Sequence, residues 1–274
     1  MMDRSEFSEE AVARYWDDNA DLWTELVRRK KDSYREYFNN PAFFRFIDNL
    51  DGKTVLDAGC GEGYNTRLLA KKGAKTVGID ISPRMIELAR QEEKRKPLGI
   101  HYKVTSFSDL SPFNDGTFDV VVSFMSLMDG PKFQNAVKEI FRVLRPEGEL
   151  IFSVTHPCFI TKGFQWIRDE KGNYAELTVS SYFDDSPSLE YWKFRNNALS
   201  EDDEPFAVPR FLRSISEYIN ELLESGFILT QIQEPRPSEV VCKQHPWLRR
   251  WRDHAAMFLY VRALKPVRSP SINP

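Results

Sequence analysis

The chain has 274 residues, and its 38 lysine and arginine residues against 41 aspartate and glutamate residues give a formal net charge of −3. Hydrophobic residues make up 41% and aromatic residues 13%, which supports a packed core and excludes a wholly disordered chain. The near-neutral balance lacks the positive charge typical of proteins that bind duplex nucleic acid or anionic membranes. The sequence has no apolar run of about 18 residues that could span a membrane, and its acidic N-terminus lacks the apolar stretch of a signal peptide. We therefore expect a soluble, cytoplasmic protein.

The first 50 residues favour helices. In 8–31, apolar residues recur at steps of three and four positions among charged residues, which is the pattern of an amphipathic helix. A second helical stretch covers 34–49, and Pro41 is expected to break it because proline removes a backbone donor inside a helix. We interpret 1–50 as an N-terminal helical cap.

Residues 51–155 alternate between short apolar runs and helical patterns. The predicted strands are 54–56, 76–79, 101–104, 118–123 and 149–154, and the predicted helices are 64–72, 82–93 and 131–144. Such alternation implies right-handed crossovers and a parallel sheet that is covered on both faces. The prediction is a doubly wound, Rossmann-like α/β core.

The alternation stops after this core and resumes near the C-terminus. The segment between, 156–208, is too rich in aromatic residues for a disordered linker, and Lys171-Gly172-Asn173 predicts the turn of a β-hairpin within it. The elements predicted after it are a helix over 214–224 and strands over 227–232 and 256–261. We interpret 156–208 as an inserted lid or substrate segment after the fifth strand, and 209–274 as the helix and strands that complete the core sheet.

A glycine-rich loop connects the first predicted strand to its helix. The loop reads Asp57-Ala58-Gly59-Cys60-Gly61-Glu62-Gly63, and glycines at such a turn let a ligand approach the backbone closely. The dinucleotide fingerprint requires a third glycine at position 64, which is Tyr64 here, and a Walker loop requires a Gly-Lys-Ser/Thr sequence that this loop lacks. The spacing therefore opposes both of these ligand classes.

Asp80 ends the second predicted strand, beside the first strand at the carboxyl edge of the sheet, where such folds bind ligands. A carboxylate at this place can accept hydrogen bonds from both hydroxyl groups of a ribose. The alternative is that Asp80 caps the following helix, although Ser82 is already placed for that role. Asp80 thus favours a ligand that contains a nucleoside.

Four segments resemble the class I S-adenosylmethionine-dependent methyltransferases in order and spacing. They are VLDAGCGEGYNTRLLA (55–70), VGIDISPRMIELAR (77–90), LSPFNDGTFDVVVSFMSLMD (110–129) and LRPEGELIFSV (144–154). The resemblance implies S-adenosylmethionine as the cofactor, with its methionine part along the glycine loop and its ribose on the second-strand acid. The contacts that it implies are Asp57, Gly59, Cys60, Gly61 and Gly63 in the loop, Asp80 on the ribose, Ile81 and Met85 near the adenine, and Phe124 and Met125 after the fourth strand.

Two positions depart from the family pattern. Many members carry an acid after the third strand that binds the adenine amino group, whereas this chain has Ser106 and Phe107 there. We assign that role to Ser106 and the Phe107 backbone, with Asp109 as the alternative. Asp129 stands where some members carry a histidine, so we do not assign a base role to this position.

Methyl transfer needs alignment of the reactants and exclusion of water more than it needs acid–base groups. Tyr15, Trp16 and Trp23 of the first helix, with the aromatic insertion, are candidates for the wall of an enclosed pocket, and ordinary packing is the alternative. We place Tyr15 at the cofactor. We place Tyr34 and Arg35 near its carboxylate, because an arginine fork suits that group, with a solvated helix face as the alternative.

His156 directly follows the fifth strand and is the candidate general base, because an unperturbed imidazole titrates near pH 6.5, at about neutral pH. The alternative is a turn histidine that is fixed by Pro157. Arg210, Arg213 and Tyr218 are candidates for selecting an acidic substrate group, or for solvating the start of a helix. The cysteines and histidines match no recognised zinc pattern or disulfide framework, and we predict no metal site.

The sequence as a whole predicts an S-adenosylmethionine-dependent methyltransferase that acts on an oxygen or nitrogen atom of a small molecule. The alternatives are an NAD-dependent oxidoreductase, which Tyr64 opposes, and a catalytically silent S-adenosylmethionine-binding protein that acts through a partner. We expect no membrane contact and no nucleic acid substrate, although the basic run 243–252 leaves a nucleic acid partner open. A homodimer is compatible with the sequence.

Overall fold

A computed structural model describes residues 4–192 and 206–267. The predicted inserted segment therefore lies partly outside the described residues, and so does the end of the predicted C-terminal segment. The helices are α1 (Glu9–Arg28), α2 (Asn40–Phe46), α3 (Tyr64–Lys71), α4 (Pro83–Arg95), α5 (Phe133–Val143), α6 (Ile215–Glu224), α7 (Glu239–Gln244) and α8 (Arg250–Asp253). The strands are β1 (Thr54–Ala58), β2 (Lys75–Asp80), β3 (His101–Val104), β4 (Phe118–Phe124), β5 (Leu144–Thr155), β6 (Gln165–Arg168), β7 (Tyr174–Thr178), β8 (Ser188–Trp192), β9 (Phe206–Arg210), β10 (Ile228–Gln233) and β11 (Phe258–Leu264).

Seven strands form the central sheet, in the order β10-β11-β5-β4-β1-β2-β3. Strand β1 is parallel to both of its neighbours, β2 and β4, and β5 is parallel to β4. Strand β11 is antiparallel to β5 and β10. The doubly wound, Rossmann-like α/β prediction is confirmed, and β1 occupies the position at which the strand order reverses.

The apolar strands are buried on both faces, because helices cover each side of the sheet. Alternate residues of a strand point to opposite faces, and in β4 all seven residues are buried. Val121 packs with Ile140 of α5 on one face, whereas Val122 packs with Phe43 of α2 and Leu69 of α3 on the other. Full burial of each such side chain contributes about 1.5–3 kcal/mol, so both layers stabilise the sheet that carries the site.

The region around Pro41 differs from the prediction. The chain is π-helical over Arg35–Asn39 and continues directly into α2, with Pro41 in its first turn. Proline is tolerated there because its missing N–H would have no partner within the helix, so the expected break is wrong. The helix also ends at Phe46 rather than at residue 49, because Ile47 is extended.

The predicted hairpin is confirmed, and a second strand pair is new. Strands β6 and β7 pair antiparallel, and Asp169 accepts backbone hydrogen bonds from Lys171 and Asn173 in the turn between them. Strands β8 and β9 also pair antiparallel, which brings Glu190 near Arg210. Among the described residues, no helix has the length and apolar character needed to cross a membrane.

Candidate active site

A large cavity lies at the carboxyl ends of the parallel strands. Its volume is about 1380 Å³. Sites for one small ligand typically measure about 300–1,000 Å³, so this cavity has room for a cofactor and a second molecule. The predicted cofactor residues that line it are Asp57, Gly59, Cys60, Gly61, Asp80, Ile81, Met85, Ser106, Phe107, Phe124, Met125 and Arg35. Tyr15, Gly63 and His156 do not line it.

The glycine loop is held tightly between β2 and the end of β4. The backbone N–H groups of Gly59 and Cys60 both donate to the Ile79 carbonyl, at 2.9 and 2.8 Å. Gly59 has φ +79°, and a side chain at this position would clash with Ser126. Ser126 is itself fixed, because its hydroxyl donates to the Ala58 carbonyl at 2.7 Å. The loop backbone is therefore pre-organised as one wall of the cavity.

Gly63 has a different role from the one predicted. It precedes α3 with φ +84°, and a side chain there would collide with the Tyr102 phenol. Glycine is needed at this position because the left-handed backbone is strained for other residues and because the space is already filled. Gly63 thus connects the glycine loop to α3 and does not line the cavity.

Asp80 faces the cavity and also holds the loop. Its Oδ2 accepts from the Gly61 N–H at 2.8 Å and its Oδ1 accepts from the Ser82 N–H at 2.9 Å. Burial raises the pKa of Asp80 to about 6. Ser82 caps α4 by accepting from the Met85 N–H, as predicted. Each Asp80 oxygen has a second acceptor position, so both can still bind ligand hydroxyl groups.

Asp57 presents a buried oxygen that lacks a donor. Its Oδ2 accepts from the Thr66 hydroxyl at 2.7 Å, but its Oδ1 has no hydrogen-bond partner among the described residues. Burial raises the pKa of Asp57 to about 7. Buried polar atoms are nearly always satisfied, so an orphaned carboxylate oxygen in a cavity wall fits a ligand that supplies a positive charge or a donor.

Arg35 and Tyr34 are adjacent in sequence but contact different parts of the site. The Arg35 guanidinium lies 5.5 Å from the Trp23 ring centroid and 6.0 Å from that of Tyr64. The Tyr34 hydroxyl instead accepts from Arg250 Nη2 at 2.7 Å. Arg35 therefore stands above the glycine loop, whereas Tyr34 belongs to the region around α8.

The third-strand region carries an acid that sequence reasoning missed. The Ser106 hydroxyl donates to Glu9 Oε1 at 2.6 Å, and Glu9 of α1 also pairs with Lys132. Burial opposes ionisation of Glu9, but hydrogen bonds from Lys132, Ser106 and Ser108 outweigh it and lower the pKa. A carboxylate from α1 thus reaches the position that we assigned to Ser106 and the Phe107 backbone.

The end of β4 adopts an unusual backbone next to the loop. Met125 has φ +56° although it is not a glycine, and its N–H donates to the Ser153 carbonyl at 3.0 Å. Such conformations are costly for ordinary residues and concentrate at functional sites. Phe124 packs beside it against Phe43, at 4.8 Å between ring centroids. Both residues line the cavity.

His156 is buried and does not line the cavity, which differs from the position expected of a general base. Its Nδ1 accepts from the Cys158 N–H at 3.2 Å, so the neutral ring carries its proton on Nε2, which donates to Glu234 Oε1 at 2.7 Å. Burial lowers the pKa of His156 despite the neighbouring carboxylate. Both nitrogens are engaged outside the cavity, which leaves neither for a substrate proton.

Tyr15 is also misplaced in the prediction. Two other aromatic residues of α1, Trp16 and Trp23, line the cavity, and their rings meet edge to face at 5.3 Å between centroids. The helical period puts these two on one face and Tyr15 beside it, where its carbonyl accepts from the Asn19 side chain at 2.8 Å. The aromatic part of the wall from α1 thus consists of these two tryptophans.

Beyond β4, the cavity opens into a region that we call the acceptor half. Residues of this half come from the N-terminal helical region, the insertion, the α7–α8 region and the residue before β11. They are Tyr34, Phe164, Tyr174, Trp247, Arg250 and Met257. Sequence reasoning considered Trp247 and Arg250 only as part of a basic run. The alternation of tryptophan and arginine in HPWLRRW was the signal that could have found them.

A buried charge cluster borders the same cavity. Arg210 donates from Nη1 to Asp129 Oδ1 and from Nε to Glu190 Oε2, each at 2.8 Å. Burial raises the pKa of Asp129 to about 7, and Arg210 opposes that shift. Arg213 and Tyr218, the other two candidates for this role, do not line the cavity: Tyr218 lies in the packed core, and the half-buried Arg213 donates to the Gly130 carbonyl at 2.6 Å.

No metal centre is found in the part of the chain that the structure describes, because no three His, Cys, Asp or Glu side chains are grouped to bind an ion.

Comparisons with known proteins agree with this geometry. Residues 56–152 match the methyltransferase domain family. An uncharacterized protein of Haemophilus influenzae is 25% identical over 262 residues, which cover 93% of this chain and 97% of that one. A demethylmenaquinone methyltransferase of Tropheryma whipplei is 40% identical over 107 residues, which span 39% of this chain and only 44% of that enzyme.

Among solved structures, a Listeria monocytogenes protein assigned as an S-adenosylmethionine-dependent methyltransferase superimposes with a TM-score of 0.68. It is 28% identical, and the match covers 84% of this chain and 97% of that one. The orphaned Asp57 oxygen and the glycine cradle at Gly59 both fit the cationic, extended methionine part of S-adenosylmethionine. With its sheet order, its glycine loop and these matches, the chain contains a class I S-adenosylmethionine-dependent methyltransferase domain, and S-adenosylmethionine is its cofactor.

Proposed function

We propose that this chain transfers a methyl group from S-adenosylmethionine to an oxygen or nitrogen atom of a small molecule. The observation that carries the proposal is the continuous cavity of about 1380 Å³, which joins the glycine loop to the acceptor half. The demethylmenaquinone methyltransferase of Tropheryma whipplei supports a small-molecule acceptor. A cavity enclosed by α1, the insertion and α8 favours a small substrate over a macromolecular surface.

The residues that hold the cofactor follow from their positions in the cavity. Asp80 would accept hydrogen bonds from the ribose, and Asp57 would face the charged methionine part. Ile81 and Met85 would pack near the adenine, with Ser106 and Glu9 at its polar edge. The bound cofactor supplies an electrophilic methyl group on a sulfonium, so the protein's task is to align the acceptor and exclude water.

Asp129 is the best-placed group to receive a proton from the acceptor. It lines the cavity, it is 7% exposed, and burial raises its pKa to about 7, which suits a proton acceptor near neutral pH. The ion pair with Arg210 fixes its orientation. His156, our first candidate, has no access to the cavity.

Replacement of His156 with alanine tests this reassignment. We expect the free energy of unfolding to fall by about 2 kcal/mol or more, because a buried ring and two hydrogen bonds are lost. Cofactor affinity should not change. Chemical denaturation and calorimetric titration with S-adenosylhomocysteine measure the two effects. A variant that unfolds like the wild type but turns over far more slowly would return His156 to the reaction centre.

Cofactor affinity should depend on pH through Asp80. The ionised carboxylate accepts hydrogen bonds from the ribose, so affinity should be highest well above the pKa of about 6 and decrease as pH falls below it. The decrease approaches about tenfold for each pH unit if only the ionised form binds. Titrations with S-adenosylhomocysteine between about pH 8 and pH 5 measure it. In Asp80→Asn, the part of the decrease in affinity that is centred near pH 6 should be absent. If the variant and the wild type show the same pH dependence of affinity, the assignment of Asp80 to the ribose is contradicted.

The test of the proposed function follows the methyl group itself. The purified protein is incubated with S-adenosylmethionine that carries a radiolabelled methyl group and with a deproteinised, nucleic-acid-free metabolite extract. We expect label in low-mass products and equimolar formation of S-adenosylhomocysteine. Cofactor binding without turnover would favour the silent binding protein, and label that appears only when protein or nucleic acid is added would contradict a small-molecule acceptor.

A further inference from the structure

Arg250 occupies an aromatic cage in the acceptor half of the cavity. Its guanidinium carbon lies 4.4 Å from the ring centroid of Tyr174, 5.3 Å from that of Trp251 and 5.5 Å from that of Trp166. Its Nη2 donates to the Tyr34 hydroxyl at 2.7 Å. The surrounding rings fix the planar group in one orientation, because arginine stacks on aromatic faces more readily than lysine.

No carboxylate within residues 4–192 and 206–267 pairs with this cation. The contrast with its neighbours is sharp, because Arg249 and Arg252 both pair with Glu239. In addition, Arg250 Nε is buried without a hydrogen-bond partner among the described residues. A partly buried cation with an unused donor is costly unless a ligand supplies the missing acceptor.

The position of Arg250 separates it from the cofactor region. It begins α8, the helix that comes before β11, and Phe258 of β11 pairs with Thr155 at the end of β5. Asp80 ends β2, which lies on the other side of β1 in the sheet. Two other arginines line the cavity: Arg35 lies 6.0 Å from the ring centroid of Tyr64, next to the glycine loop, and Arg210 is paired with Asp129 and Glu190.

We propose that Arg250 and Tyr34 form an anion-binding subsite for a carboxylate or phosphate group of the methyl acceptor. The guanidinium donates to the anion, and the Tyr34 hydroxyl, which accepts from Arg250, is free to donate its own hydrogen. Phe164 and Trp247 line the same half and contact the apolar part of the acceptor. The inference rests on the proposed methyltransferase function and narrows its substrate class to acidic molecules.

Binding of matched probes to the protein saturated with S-adenosylhomocysteine tests the subsite. The probes are 4-hydroxybenzoate and phenyl phosphate as aromatic anions, and 4-hydroxybenzamide as the neutral analogue of nearly equal shape. We expect calorimetry to show about tenfold or tighter binding of at least one anion relative to the amide, because charge-assisted bonds to arginine are lost with the charge.

Three variants locate the effect. Arg250→Gln should abolish the preference for the anion, and Arg250→Lys should retain part of it because the charge remains. Arg249→Gln is the matched control, because it removes the same charge from the adjacent residue, which does not line the cavity. Thermal unfolding of each variant shows whether the fold is retained, and Arg250→Lys keeps the test valid if Arg250→Gln is unstable.

Three results overturn the subsite. The proposed contact is removed if neither anion binds better than the amide at millimolar concentration. It is also removed if the preference for the anion survives Arg250→Gln. The other source of an anion is the cofactor's own carboxylate. If Arg250→Gln weakens S-adenosylhomocysteine about tenfold and Arg35→Gln does not, Arg250 binds the cofactor, and the methyltransferase proposal stands without this subsite. Failure of the labelled-methyl experiment would instead remove the proposed function itself.

Discussion

Replacing Asp80 with alanine is expected to weaken the binding of S-adenosylhomocysteine by about tenfold or more, because two charge-assisted hydrogen bonds to the ribose are lost. The substitution also removes hydrogen bonds within the protein. Asp80 also accepts from the backbone N–H groups of Gly61 and Ser82, so the variant frees the loop that lines the cofactor region. Calorimetric titration of the folded variant measures the affinity directly.

Asp109→Ala is the matched control for Asp80→Ala. Asp109 lies near the same edge of the sheet but is exposed and does not line the cavity; it accepts from the Ser111 N–H at 3.1 Å. Its removal should leave the affinity for S-adenosylhomocysteine within about twofold of the wild type. Equal affinities of Asp80→Ala and the wild type would contradict the ribose assignment, and a large loss in Asp109→Ala would assign the adenine contact to that residue.

Gly59→Ala is expected to have the second large effect. The left-handed backbone at φ +79° and the clash with Ser126 together force the loop to move, which should lower the free energy of unfolding by about 2 kcal/mol or more. Cofactor binding should weaken by about tenfold or more, because the displaced backbone no longer matches the ligand. Chemical denaturation and titration with S-adenosylhomocysteine check the two effects.

Gly172→Ala separates backbone strain from the clash. Gly172 has φ +81°, nearly the same as Gly59, but a side chain there meets no atom within 4 Å. Alanine at this hairpin turn should cost only about 1 kcal/mol and leave cofactor affinity unchanged. If Gly59→Ala behaves like Gly172→Ala, the close packing of the glycine loop against β4 is not needed for binding.

Local patterns were enough to predict the core. Strand β4 is apolar at nearly every position, which only a strand covered on both faces can satisfy, and Ser82-Pro83 gives the start of α4 correctly. The glycine loop and Asp80 were found because each lies at the carboxyl end of a strand, a position that the fold makes functional whatever the rest of the chain does.

The acceptor half could not be predicted because its parts are distant in sequence. Tyr34 and Arg250 are hydrogen-bonded although 216 positions separate them. The prediction of His156 as the general base differs from the structure for a related reason. Its place after β5 was predicted correctly, but Glu234, 78 positions away, binds the imidazole ring outside the cavity. The position of a residue along a strand predicts at which edge of the sheet it lies. The direction of its side chain depends on partners distant in sequence, which no local pattern reveals.

The most direct test of the whole account is calorimetric titration of the unmodified protein with S-adenosylhomocysteine, with NAD⁺ as the parallel ligand. The account predicts tight one-to-one binding of S-adenosylhomocysteine and no binding of NAD⁺, because the glycine loop lacks the third glycine of the dinucleotide fingerprint and has Tyr64 in its place. Binding of NAD⁺ alone, or of neither ligand, would contradict the assignment of the cavity to S-adenosylmethionine.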